Sequence, residues 1–374
     1  MHENFCCVTG LQVSDSFYYK AFKELNISHA KLGNEKCEQC HLFEQHKKDC
    51  KCEILCEFYT RQAKHQRRYR VARPSYESDS NSQQSPTSPI FEADMQKVLL
   101  LPQMDQLKKI IFTPRLSIFN ETFAEVGVKT KKIKHHGDIC VVWHEAIQGR
   151  NDEDVCSAFH HFLKQQRGAE EITLWLDNCS YQNKNWTLIT MIYHLIQSDT
   201  ICAQKITLKY FEPGHTFNAA DPVHSRIEGT LRTKQGKVFD LDDLEKCLQD
   251  SGCKVSMMQA TDFIKWESGV SNYKLAQTEP RPYLAEMMLI QFRREEPDTF
   301  FYKEIHDGER IQVKDFLKKS FVVKEENQKV RSLLKSKKDR IVQDLLPFMP
   351  KNRTKFWSSL PESSKAKDLN TSRF

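Results

Sequence analysis

Long apolar runs are missing from this 374-residue chain. None approaches the roughly 18 residues that cross a bilayer, so no membrane partner is expected. The opening residues, Met1-His-Glu-Asn-Phe-Cys-Cys, lack the basic-then-apolar order of a secretory leader, which points to a cytoplasmic or nuclear protein. No segment recurs at a fixed period, which removes solenoids and propellers. A strong charge of one sign is absent too: 56 Lys and Arg against 50 Asp and Glu leave a net +6. That balance permits a polyanionic partner without requiring one. With 39% apolar and 28% charged residues, a soluble globular protein with one large core or two modest ones is what remains.

Cysteine, by contrast, is plentiful and unevenly placed. Seven of the 13 fall before residue 57, and such crowding in a reducing compartment suggests metal ligation over disulfides. Cys37-x2-Cys40 presents two thiolates to one tetrahedral zinc. With Cys52 and Cys56 it forms the expected Zn²⁺ ligand set, His46 and His65 being alternates. Free thiols on a helical hairpin are the competing reading.

Composition divides the chain into four stretches. Residues 1–73 form a small Cys/His-rich helical region ending in a basic run, where Lys64, Arg67, Arg68 and Arg70 are candidates for nucleic-acid contact. Residues 74–90, rich in Ser, Gln and Pro, have little to bury and read as a flexible linker. Residues 91–300 are the folded core, and 301–374 read as a basic helical extension whose alternative is a plain solvated helix surface.

Within the core, strand-like runs cover Phe91 to Leu101, Lys109 to Phe119 and Ile139 to Trp143. Helical spacing covers Asp152 to Gln165, then strand Ile172 to Leu176, helix Asn185 to Gln197, strand Lys205 to Phe211 and helix Asp221 to Arg232. In a single layer this order gives an α/β fold with an RNase H-like mixed five-stranded sheet flanked by helices.

In such a sheet the first strand lies beside the fourth. Asp94 on the one and Asp177 at the end of the other are then brought to one edge, where open sheets place ligands. Helix capping by Asp177 or Asn178 is the competing role. On the last helix, Asp221, His224 and Glu228 are offset by three and seven and share a face. Pro222 suits a first helical turn with Asp221 as N-cap, which leaves Glu228, deeper in the helix, as the preferred third acid. Converging carboxylates repel unless cations neutralise them, so Asp94, Asp177, Asp221, His224 and Glu228 are expected to hold Mg²⁺ or Mn²⁺. Two such ions about 3.5 to 4 Å apart support in-line displacement at phosphorus, with Asp94, Asp177 and Glu228 as the catalytic acids. The polar run Gln182-Asn183-Lys184-Asn185 at a helix start, with Asn178, would hold phosphate oxygens or position Asp177.

Several of these motifs carry a resemblance. Ala93-Asp94-Met95-Gln96 with Leu101-Pro102, Trp143-His144-Glu145 with Gly149, Asp177-Asn178-Cys179-x-x-Gln182-Asn183-Lys184-Asn185, and Gly214-His215-Thr216 through Asp221, His224 and Ile227-Glu228 resemble an animal protein family. Many of its members are transposon-derived and share a domain of unknown function with an RNase H-like transposase fold. His144 departs from the family's usual acid, and the Ser- and Gln-rich insert is a second departure. The resemblance implies a transposase-like protein, with Gln96 and His215 among residues supporting the site and DNA as partner, self-association being open. It implies metal-dependent cleavage or strand transfer, or else a domesticated protein that binds DNA or protein without chemistry.

Overall fold

The computed structural model describes residues 11–24, 37–49, 56–83, 85–128, 137–216, 219–266, 281–318 and 326–365. The chain divides into two compact units, Met1–Lys51 and Cys52–Phe374. The first holds helices α1 (Asp15–Glu24) and α2 (Glu38–Asp49), and no residue of α2 is buried. Cys37 directly precedes α2, Cys40 lies in its first turn and His46 near its end.

The second unit is built on a mixed sheet of ten strands flanked by helices. In chain order come α3 (Glu57–Asn81), β1 (Ile90–Met95), β2 (Leu99–Leu101), β3 (Leu116–Glu125), β4 (Ile139–His144), α4 (Asp152–Gln165), β5 (Glu171–Leu176), α5 (Trp186–Gln197) and β6 (Lys205–Tyr210). There follow α6 (Ala220–Thr233), α7 (Leu241–Asp250), β7 (Lys254–Met257), β8 (Leu289–Arg293), β9 (Thr299–Lys303), β10 (Ile311–Lys314), α8 (Lys335–Asp344) and α9 (Thr354–Ser359). The strand order is β10-β9-β8-β6-β5-β1-β3-β4-β7, with β2 also pairing to β3. β1, β5 and β6 run parallel, whereas β3 is antiparallel to both β1 and β4.

Two apolar layers cover the faces. On one, Val155, Ala158, Phe159 and Phe162 of α4 and Leu188, Ile192 and Leu195 of α5 pack on Phe91, Phe123, Leu174 and Leu208. The helical spacing of those side chains is what makes α4 a sheet-facing helix. Asn151 starts it with a capping box, accepting Asp154 N–H at 2.9 Å while Asp154 Oδ2 accepts Asn151 N–H at 3.0 Å. On the other face, Val223, Ile227 and Leu231 of α6 pack with Leu244 of α7, Ile341 of α8, and Ile118 and Val142 of the sheet. Burial on both faces explains why β4 and β5 read as near-continuous apolar runs.

Three expectations need correction. The run 91–101 is two strands, and 109–119 splits into a 3-10 turn at Lys108–Ile111 and the start of β3. Pro114 separates that turn from β3, because a proline cannot donate to a central ladder. The linker at 74–90 is helical through Asn81: Tyr76 donates to Glu92 Oε2 at 2.8 Å, and Asp79 Oδ2 accepts from Trp175 Nε1 at 2.7 Å and Lys209 Nζ at 2.6 Å. Polar anchors hold this stretch, so a scarcity of apolar residues misjudges it. Finally, the described residues beyond 300 are helical only in part, at α8 and α9. β9 and β10 extend the central sheet, and in α8 Lys337 and Lys338 are buried, Lys337 Nζ lying 2.7 Å from Glu145 Oε1 and Lys338 Nζ 2.7 Å from the Leu360 carbonyl.

Candidate metal centre at the carboxyl edge

Register brings the first two acids together. Ala93 of β1 pairs with Leu176 of parallel β5, so Asp94 and Asp177 occupy the next position of each chain segment at one edge of the sheet. Asp177 is fixed by its own loop: Asn183 Nδ2 donates to its Oδ1 at 2.5 Å, and Cys179 N–H at 3.3 Å. Burial nevertheless raises its pKa. Asn183 is itself buried, and its carbonyl accepts from Tyr210 Oη at 3.1 Å.

From the opposite side of the rim, α6 contributes two groups. Ligand atoms of Asp94, Asp221 and His224 all lie within 4.8 Å of one another. His224 Nε2 meets Thr122 Oγ1 at 3.0 Å, while its Nδ1 is 4.0 Å from Asp94 Oδ2. Burial lowers its pKa to about 4, so the imidazole is neutral at physiological pH and fit to ligate a cation. Asp221 is not the N-cap: Ala219 holds that position without a side-chain cap, and Asp221 sits in the first turn. Glu228 is drawn away, with Oε1 2.7 Å from Lys97 Nζ and Oε2 3.6 Å from Arg232. The helix therefore offers Asp221 and His224 to Asp94, and the sequence-level preference for Glu228 does not match this geometry.

Two acids escaped the sequence reading. Glu121 of β3 pairs with Met95 and so leaves the sheet on the face opposite to Asp94. It is 1% exposed, and neither carboxylate oxygen has a hydrogen-bond partner among the described residues. Its pKa is raised well above the ordinary range, first by burial and then by the charges of Asp94 and Asp177. Glu92, two residues before Asp94, accepts from Tyr76 Oη and, at 2.7 Å, from Ala219 N–H. Burial pushes its pKa up to about 8, with Asp94 and Asp221 adding to the rise. An acid inside an otherwise apolar strand, as in Ile90-Phe-Glu-Ala-Asp-Met95 or Ile118-Phe-Asn-Glu-Thr-Phe123, was the available signal, since unpartnered charge is costly to bury.

The remaining predicted residues divide by role. Asn185 caps α5, accepting Leu188 N–H at 2.9 Å, and Asn178 Nδ2 donates to the Phe211 carbonyl at 3.2 Å. Gln182 reaches Met95 Sδ at 4.0 Å. Gln96 is buried and accepts from Asn120 Nδ2 at 3.0 Å, a contact internal to the fold. Lys184 is 5% exposed, with Nζ 4.8 Å from the Tyr210 ring centroid. Burial and the neighbouring Arg68 charge lower its pKa to about 8. With Arg68, Asn178, Ser180 and Glu212 it lines a cavity of about 380 Å³. Of the basic run on α3, Lys64 and Arg68 pair with Glu286, Arg68 Nη2 also donating to the Glu286 carbonyl at 2.9 Å, while Arg67 and Arg70 are exposed. The expected zinc set is divided between the units, with Cys37, Cys40 and His46 in the first and Cys56 and His65 in the second, and Cys52 lies outside the described residues.

Among the described residues no helix is long and apolar enough to cross a membrane. No curated protein and no solved structure matches the chain. Residues 133–292, from the approach to β4 through most of β8, match a family model described as a domain of unknown function (DUF7869). That similarity spans Asp177, Asp221 and His224, and leaves Asp94 and Glu121 outside.

Proposed function

We propose that this is a transposase-derived, RNase H-like protein whose rim acids bind Mg²⁺ or Mn²⁺ and act on DNA phosphodiesters by cleavage or strand transfer. The observation that carries this reading is the meeting of Asp94, Asp221 and His224 from two separate elements, beside Asp177 on the adjoining strand. The strand order supports it: numbering β1, β3, β4, β5 and β6 as one to five, the inner sheet runs 3-2-1-4-5, the first three antiparallel in sequence and the last two parallel to the first.

The donor set suits the cations. Two carboxylates, with Asp177 at the end of the adjoining strand, suit a hard divalent ion, and the neutral imidazole favours Mn²⁺ over Mg²⁺. Bound cations would supply Lewis-acid activation of a water or 3′-hydroxyl and stabilise the leaving oxygen. Asn183 and Cys179 N–H hold Asp177 in one orientation, and Lys184 with Arg68 offers positive charge to a neighbouring phosphate. A DNA substrate makes the nucleus the fitting compartment.

The test is nicking of supercoiled DNA in Mg²⁺ or Mn²⁺ by wild type and Asp177→Asn. Wild type should nick, and the variant should lose about a hundredfold or more of the rate. Equal rates in both, or no nicking with either metal, removes the enzymatic reading. Duplex binding that weakens steeply with salt but brings no nicking would instead mark a domesticated binding protein.

A further inference from the structure

Away from the rim acids, a second group of side chains converges at the turn between β6 and α6. His65, on the buried face of α3, is 2% exposed. Its Nδ1 lies 2.8 Å from Glu212 Oε1, with both side chains almost fully shielded. A carboxylate accepts, so Nδ1 carries the proton and His65 Nε2 presents its lone pair on the far side of the ring. His215 N–H donates to the Glu212 carbonyl at 3.0 Å, which folds the turn back. The His215 ring stacks on Tyr69, one helical turn beyond His65, with centroids 4.1 Å apart. Its Nε2 thereby comes to 3.1 Å from His65 Nε2.

Two nitrogens bound to one tetrahedral zinc at about 2.0–2.1 Å stand roughly 3.3 Å apart, close to the observed separation. A carboxylate behind a ligating imidazole fixes the tautomer and raises ligand basicity, and Glu212 occupies that place. Imidazole pairs select Zn²⁺ over Mg²⁺ or Ca²⁺, which take oxygen.

We propose that His65 Nε2 and His215 Nε2 are two ligands of a structural Zn²⁺, with Glu212 as the orienting carboxylate. The ion pins α3 to the Gly214–Thr216 turn that leads into α6, and so sets the entry of the helix bearing Asp221 and His224. This site is separate from the rim acids, and it brings in His215, which the family resemblance sets among the residues supporting them.

The experiment uses the full chain, purified without chelators after growth in zinc-supplemented medium, with metal content read by mass spectrometry. Wild type should hold about one zinc per chain. His215→Ala should lose it, and Glu212→Gln should bind Zn²⁺ about 10–100-fold more weakly. Because His215→Ala could unfold the turn, His215→Cys is the companion: loaded with Co²⁺, it should gain a sulfur-to-cobalt charge-transfer band beyond the wild-type spectrum. Asp177→Asn should keep its zinc, which separates this site from the rim reading. No zinc or Co²⁺ absorption in wild type, undiminished zinc in His215→Ala, or no added band in His215→Cys would leave a plain histidine–histidine hydrogen bond.

Discussion

Two buried glutamates, one inside β3 and one just past the end of β4, have opposite surroundings. Glu145, just past β4, has Oε1 2.7 Å from both Ser117 N–H and Lys337 Nζ, with Arg331 Nη1 3.7 Å from Oε2. Glu121 of β3 has no hydrogen-bond partner for either oxygen among the described residues, and after burial itself the charges of Asp94 and Asp177 raise its pKa further. Both are at most 1% exposed, so burial alone does not separate them. A buried acid supplied with its own cation is a fold-holding element, whereas one set among other acids fits a place where an external cation supplies the missing charge.

The hardest blow to this contrast comes from Lys337→Met, which leaves Glu145 buried without its ammonium. Unfolding in denaturant should show a loss of about 3–5 kcal/mol, and the added change Glu145→Gln should recover part of it. A loss near zero would mean that Glu145 does not depend on its lysine, and the two sites would no longer differ in kind. Glu121→Gln should behave otherwise. Without metal its stability should stay within about 1 kcal/mol of wild type, since the amide keeps the side chain's shape and the carboxylate has no hydrogen bond to lose among the described residues. Mn²⁺ at a hundred times its dissociation constant should stabilise wild type by about 2.7 kcal/mol. At that concentration the variant should gain less, reflecting an affinity about tenfold weaker. Unchanged Mn²⁺ stabilisation would make Glu121 irrelevant to the rim.

A third contrast, read as a slope against pH, concerns a buried neutral group. His306 is 8% exposed, its Nε2–H donates to the Tyr210 carbonyl at 3.0 Å, and burial lowers its pKa from 6.5 to about 4. The unfolded chain takes up this proton first as pH falls, so the contribution is whole above about 6.5 and is lost toward 4, at up to about 1.4 kcal/mol per pH unit. Asp154, raised to about 6 by burial, acts with the opposite sign, so the quantity to follow is the difference between wild type and His306→Gln. That difference should shrink on acidification, and a constant difference would contradict a neutral buried ring.

Periodicity made α4, β5, α5, β6 and α6 legible almost to the residue, because each pairs a full apolar face with a clear cap or turn. It failed where polar groups hold the fold. α3 runs on to Asn81 because Tyr76 and Asp79 find partners on the sheet, and β9 and β10 extend the sheet edge beyond β8 as a local antiparallel meander. At the rim, Asp94 and Asp177 could be read from their places at strand ends. Glu121 and Glu92 are missed when a strand pattern treats an internal acid as solvent-facing, although an acid framed by large apolar strand residues is the signal that marks them. Glu228 was preferred on depth along the helix, but Lys97 competes for it from 131 residues away. The meeting of His65 with His215, 150 residues apart, has no periodic trace at all.

The loop from Asp177 to Asn185 leaves little freedom of length. The Cys179 carbonyl accepts three amides, from Gln182 at 3.3 Å and from Asn183 and Lys184 at 2.9 Å each, and the segment closes on a capped helix. Inserting or deleting one residue there would rotate Asn183 off Asp177 and misalign the cap together, so natural indels should be scarce in this loop and free to accumulate in connections that carry no such knot.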